Sequence, residues 1–244
     1  MKLFNRLLSI ITPSKAPEQA PLDEAAQQAA NHFSAGVELH LSGDLDGALA
    51  AYEKAVSFKP NFSEAWYNSG NAWADKGEYD KAIEAYTKTI SIKANYAEAF
   101  SNRGAAYNRK GQFDRALEDF NKAIILAPGM AEAYVNRGNA YDDNDRFDKA
   151  IADFDKAIEI EPDYADAYNN RGNVHARKGG YERAIVDYSK AIKLNPDNAD
   201  AYNNRGIAYY RLNKIKEMCA DFKRACELGV CDSLNWAKEQ GYCD

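Results

Sequence analysis

Apolar positions along this chain follow the period of a helix, break at a turn, and resume. Between 165 and 198, Tyr168, Gly172 and His175 stand at i, i+4 and i+7 and share one helical face. Lys178-Gly179-Gly180 marks a turn, and Ala184, Tyr188 and Ala191 repeat the spacing until Asn195-Pro196 ends it. The same register returns every 34 residues: Gly36, Gly70, Gly104, Gly138, Gly172 and Gly206 keep the interval without a slip. So do Ala48, Ala82, Ala116, Ala150, Ala184 and the divergent Met218, the rings Tyr52, Tyr86, Phe120, Phe154, Tyr188 and Phe222, and the stop series Pro60, Ala94, Pro128, Pro162, Pro196 and Val230. Six copies fit, at 29–62, 63–96, 97–130, 131–164, 165–198 and 199–232. A helical hairpin of this size cannot bury its apolar stripe alone, and stacking the hairpins buries it.

The pattern resembles the tetratricopeptide repeat, as in AWYNSGNAWADKGEYDKAIEAYTKTI at 65–90, and the resemblance covers 29–232. It implies an all-α fold, a right-handed superhelical solenoid of six helix-turn-helix repeats with a concave groove. Departures fall at the ends. His32 stands where later copies have aromatic residues, and Met218 and Val230 replace alanine and proline in the last copy. Terminal repeats meet water on one side, so divergence there is expected. SLNWAKEQGY at 233–242 places Trp236 where the next copy's first aromatic would fall, and 233–244 reads as a C-terminal capping helix and tail.

The motif YNNRG at 168–172 and 202–206, with relatives at 67–70, 101–104 and 135–138, combines three demands. A glycine inside a helix costs about 1 kcal/mol relative to alanine. Its recurrence therefore implies close helix packing, with Ala184 expected to arrive from the partner helix over Gly172. Arg103, Arg137, Arg171 and Arg205 lie on the same side as the glycine, and Asp119, Asp153, Asp187 and Asp221 stand sixteen residues further on. Where the first two copies carry Ala35 and Ser69 in the arginine slot, they carry Ala51 and Ala85 in the aspartate slot. The two slots change together, which predicts an internal ion pair in each of four repeats.

Asn68, Asn102, Asn136, Asn170 and Asn204 occupy a third column, about 100° from the arginine and away from the core, with Asn71, Asn139 and Asn173 on the same face. The mixed series Asp75, Arg109, Asp143, Arg177 and Arg211 and the acidic Glu64, Glu98, Glu132, Asp166 and Asp200 complete the stripe. An amide offers both donor and acceptor, so a row of them can pair with the backbone of an extended peptide. Some tetratricopeptide proteins carry such asparagine ladders, and the resemblance implies that role here. The competing expectation is that each asparagine bonds the backbone of the neighbouring repeat and fixes the stacking.

Composition narrows the function classes. The net charge is −6 and the isoelectric point near 5.3, which disfavours a nucleic-acid partner. No run approaches the ~18 apolar residues of a membrane span. His32, His40 and His175 are scattered, and no nucleotide, metalloprotease or serine-hydrolase motif occurs, so no enzyme, cofactor or metal is expected. DDND at 142–145 lacks the alternating ligands of a calcium loop and falls where other copies turn. All four cysteines lie near the C-terminus. Cys219 and Cys226 are ~10.5 Å apart by helical rise, too far to pair. An antiparallel capping helix would join Cys219 to Cys243 and leave Cys226 with Cys231; the alternative is four reduced thiols filling the cap.

In MKLFNRLLSIIT, Leu3, Phe4, Leu7, Leu8, Ile10 and Ile11 fall within an arc of about 160° opposite Lys2 and Arg6. Residues 1–12 thus read as an amphipathic helix for a membrane surface or a partner, with a signal peptide as the alternative. The Pro-, Ala- and Gln-rich 13–28 reads as a linker into the first helix. Together these features predict a cytoplasmic scaffold, possible at a membrane periphery, that binds an extended segment of a partner protein in an asparagine-lined groove. The alternatives are an exported or periplasmic protein, and a self-assembling one whose N-terminal helix docks in the groove to form homo-oligomers.

Overall fold

The computed structural model describes residues 24–244, and the segment 1–12 and most of 13–28 lie outside them. Among the described residues there are helices and no strands: α1 (Glu24–Leu41), α2 (Leu45–Phe58), α3 (Ser63–Asp75), α4 (Tyr79–Ile92), α5 (Ala97–Arg109), α6 (Phe113–Leu126), α7 (Ala131–Asp143), α8 (Phe147–Ile160), α9 (Ala165–Arg177), α10 (Tyr181–Leu194), α11 (Ala199–Arg211), α12 (Ile215–Glu227) and α13 (Asp232–Glu239). Each packs on its chain neighbours. Successive odd-numbered helices from α1 to α11 also touch one another, whereas successive even-numbered helices make no comparable contact. The odd-numbered helices are therefore closer together, and the all-α solenoid curves with them on its inner face.

Local chemistry fixes the hairpins. Glu64, Glu98, Glu132, Asp166 and Asp200 sit in the first turns of α3, α5, α7, α9 and α11, where an acid complements the helix dipole. Between paired helices one residue is left-handed: Gly43, Gly77, Gly111 and Gly179, with Asp145 at φ 53° and Asn213 at φ 57° in the same register. Asp and Asn are the residues other than glycine that tolerate this region best. DDND at 142–145 is thus the end of α7 and its turn.

The core is a column of rings on glycines. Tyr52, Tyr86, Phe120, Phe154, Tyr188 and Phe222 are at most 2% exposed. A Cβ on Gly172 would lie 2.8 Å from Cε1 of Tyr188, and one on Gly138 would lie 2.7 Å from Cε1 of Phe154. This corrects the expectation that Ala184 fills the space over Gly172: the ring of Tyr188 does, and Ala184 is buried beside it.

At the N-terminal end α1 starts at Glu24, and His32 stacks on Phe58 with ring centroids 5.6 Å apart. At the other end α13 lays Leu234 and Ala237 against Met218 and Phe222. Disulfides join Cys219 to Cys243 and Cys226 to Cys231, with Cα separations of 5.7 and 4.1 Å. No helix among the described residues is long and apolar enough to cross a membrane.

Two predictions follow from this packing. Gly172→Ala should destabilise the protein by ~1–3 kcal/mol in urea titration, because displacing the Tyr188 ring outweighs the gain of about 1 kcal/mol in helix propensity. His175 stands where other repeats have Tyr107, Tyr141 and Tyr209, and burial lowers its pKa although Asp187, 3.9 Å away, acts in the opposite direction. The fold therefore prefers the neutral ring, and below about pH 6.5 the unfolded chain takes up more protons. Stability should be full above that pH and fall on acidification through it, and His175→Tyr should flatten this slope in melts recorded from pH 5 to 8.

Candidate functional site

Each arginine of the repeated motif forks onto the aspartate of its own hairpin. Arg103 donates from Nε and Nη2 to Asp119 at 2.7 and 2.8 Å, and Arg137 to Asp153 at 2.7 and 2.6 Å. Arg171 donates to Asp187 at 2.9 and 2.6 Å, and Arg205 to Asp221 at 2.8 and 2.7 Å. The four aspartates are buried, and these bonds raise the arginine pKa values above their ordinary range against the opposing effect of burial.

The remaining nitrogen Nη1 reaches back to the preceding repeat. It donates to Thr87 at 3.0 Å, Asn121 at 2.6 Å, Asp155 at 2.5 Å and Ser189 at 2.9 Å. These acceptors are themselves 34 residues apart and all carry a side-chain oxygen, a signal present in the sequence but submerged in a polar, exposed helix face. The arginine thus ties hairpin to hairpin as well as helix to helix.

The asparagines on the inner face form a ladder between repeats. Asn102 donates to Asn71 at 2.9 Å and to the Tyr67 hydroxyl at 3.0 Å, Asn136 to Ser101 at 3.2 Å, Asn170 to Asn139 at 3.0 Å, and Asn204 to Asn173 at 3.1 Å. The hydroxyls of Tyr86 and Tyr188 donate to Asn71 and Asn173 at 2.8 and 2.9 Å. The expected contact with the neighbour's backbone is replaced by side chains, because the odd-numbered helices leave no free backbone group at this register. Asn68 alone bonds backbone, the Glu64 carbonyl of its own helix.

The predicted row widens into a cleft over part of its length. Asn136, Asn139, Asn170 and Asn173 come together in a cleft of about 480 Å³ with Asn108, Arg109, Asp142 and Asp143. Asn68, Asn71 and Asn102 do not line it, and Asn204 lines an adjoining recess that shares Asn173 with the cleft and includes Arg177 and Ile207. Arg177 is turned onto Asp142 at 2.6 Å and Asp145 at 2.7 Å, and Asn108 donates to Asp143 at 2.7 Å. Burial pushes Asp142 above the usual carboxylate range, with Arg177 countering. Arg211 lines a third recess, beside Tyr210 and Trp236. Of the three predicted groove cations, Arg109 lines the amide cleft and Arg177 lines the adjoining recess beside Asn173 and Asn204.

Profiles described as tetratricopeptide repeat match 97–130, 131–164, 154–186 and 199–228, and one described as TPR repeat matches 36–74, 70–111 and 176–213. The solved structure of MamA is 31% identical, with 68% of this chain and 96% of that chain covered and a TM-score of 0.58. YrrB, titled a TPR protein with an unusual peptide-binding site, is 27% identical, with 73% of this chain and 92% of that chain covered and a TM-score of 0.55. An uncharacterized protein of Methanocaldococcus jannaschii is 33% identical over 51 residues, 21% of this chain and 59% of that protein's length.

The arginine forks make a stability prediction. Asp153→Ala strands the half-buried Arg137 and should cost ~3–5 kcal/mol in urea titration, whereas Arg137→Met combined with Asp153→Leu should recover most of that loss. A double-mutant cycle measures the coupling directly.

Proposed function

The chain belongs to the tetratricopeptide repeat family, and we propose that it is a non-enzymatic scaffold receiving an extended segment of a partner protein on its concave face. The observation that carries this reading is the amide cleft, where Asn136, Asn139, Asn170 and Asn173 converge from two successive repeats. Each primary amide has two N–H donors and a carbonyl with two lone pairs. Asn136 and Asn170 each commit one donor to the ladder, to Ser101 and Asn139. What remains matches the alternating N–H and C=O groups of an extended backbone, and it does so whatever the side chains of the ligand.

The charges flanking the cleft set direction. Arg109 stands at the end of α5 and Asp143 at the end of α7, where Asp142 is already paired with Arg177, so the two sides of the cleft differ in sign. A bound segment with an acidic residue toward Arg109 and a basic one toward Asp143 fits better than its reverse. The likeness to YrrB, whose title names a peptide-binding site, supports the same reading.

The test replaces Asn136 and Asn170 together by alanine in the full chain and compares what parent and variant capture from an extract of the native cell. Specific capture should fall at least about tenfold, since several hydrogen bonds of about 0.5–1.5 kcal/mol each are lost. Asn170 also ties α9 to α7, so melting curves of both proteins are needed at the capture temperature. A folded variant that retains every partner at full yield would refute the amide cleft as the binding surface.

A further inference from the structure

In repeats three to six a guanidinium fills a recurring slot: an aspartate of its own even-numbered helix, an oxygen of the preceding hairpin, and aromatic rings of its own odd-numbered helix, two in repeats three, four and six and one, Tyr168, in repeat five, where His175 takes the second ring position. For Arg137 the rings are Tyr134 and Tyr141, at 5.6 and 5.9 Å, and the acceptors are Asp153 and Asn121. Repeat two has every outer part of this slot and lacks its occupant. Trp66 and Trp73 stand at the ring positions, Glu53 at the position of Asn121, Ser69 at that of the arginine, and Ala85 at that of the aspartate.

Neighbouring side chains do not close the space. A cleft of about 460 Å³ lies between α2 and α3, lined among others by Glu53, Trp66, Ser69 and Trp73. Asp46 also lines it but is paired with Lys76, while Glu53 is exposed and joins no ion pair among the described residues. Lys81 and Lys76 lie 4.3 and 5.7 Å from the Trp73 ring, and a lysine on a slot ring is compatible with a guanidinium there: in repeat four Lys149 lies 5.5 Å from the Tyr141 ring that Arg137 also contacts.

We propose that this slot takes the side chain of an arginine supplied by another polypeptide, its guanidinium seated between Trp66 and Trp73 and bonded to Glu53. The same slot holds a guanidinium four times within this chain. Tryptophan is the ring that attracts a cation most strongly, and a carboxylate replaces the neutral acceptor found in most other copies. The planar fork suits rings and carboxylate together in a way that an ammonium does not. This site is built from α2 and α3, apart from the amide cleft on α5, α7 and α9, so it stands whether or not the cleft binds peptide.

The test uses the full chain with Trp236→Phe, so that Trp66 and Trp73 alone report. The blocked peptide acetyl-Gly-Arg-Gly-amide is titrated at low salt against its citrulline counterpart, which keeps the shape and removes the charge. The arginine peptide should change tryptophan emission saturably and the citrulline peptide should not. Glu53→Gln, at an exposed position, should raise the Kd about tenfold. Ser69→Arg with Ala85→Asp fills the slot from within and should abolish the response while melting no lower than the parent. Asn136→Ala with Asn170→Ala should leave it unchanged. Absence of a saturable response, an equal response to citrulline, or a response surviving in the folded Ser69→Arg, Ala85→Asp variant overturns the proposal. A response appearing only when Lys2, Arg6 and Lys15 are replaced by Gln would also overturn it, because the chain's own cation would then occupy the slot.

Discussion

The contact on which the rest of the structure depends is an aromatic ring packed against a helical glycine. It occurs once per hairpin, from Tyr52 on Gly36 to Phe222 on Gly206, and sets how near two helices come. Everything at the interface is scaled to that distance: alanines at complete burial, an arginine long enough to fork onto the next helix, and a turn short enough to need one left-handed residue. The glycine weakens its own helix, and the hairpin tolerates this because the ring excludes water from both helices at once.

A ring on a glycine holds two helices but does not choose the next hairpin. That choice falls to polar contacts on either side of the core. On one side Arg103, Arg137, Arg171 and Arg205 join their own aspartate to an oxygen of the preceding repeat, and on the other the amides of Asn102, Asn136, Asn170 and Asn204 reach the preceding odd-numbered helix. Apolar stacking alone would tolerate slippage between near-identical repeats. A bidentate fork and an amide ladder accept one register, because a shift of one residue leaves buried donors without acceptors.

Repetition made much of this readable in the chain. A column that recurs at 34-residue spacing reports a shared constraint without any second sequence, so the hairpins, the glycine column and the linked arginine and aspartate slots could be derived from residues alone. Three features escaped. The occupant over Gly172 was assigned to Ala184 because helical angles place both Ala184 and Tyr188 on the facing side, and only the actual crossing of the helices shows which arrives. The Thr87, Asn121, Asp155 and Ser189 column was missed because these residues share only an oxygen, and exposed polar positions vary freely. The fate of the groove cations was also hidden: Arg177 looks equivalent to Arg109 by register, yet its guanidinium is held by Asp142 and by Asp145 at the left-handed turn.

The same logic separates structure from recognition. Every hairpin must solve the same packing problem, so the columns that solve it, the glycines and the rings over them, are uniform. Recognition of a particular partner requires the repeats to differ. The columns that differ are those along the clefts: Asp75, Arg109, Asp143, Arg177 and Arg211 on the inner face, Ile207 where the amides stop, and Ser69 between two tryptophans where repeats three to six place an arginine. Ser69 and Ala85 lose both charges of the pair together, so the fold gives up a fork without burying a lone ion. Glu53 keeps its charge beside the space that results. An anion retained where its structural counter-ion is missing, next to rings suited to a cation, is complementary to something outside the repeat.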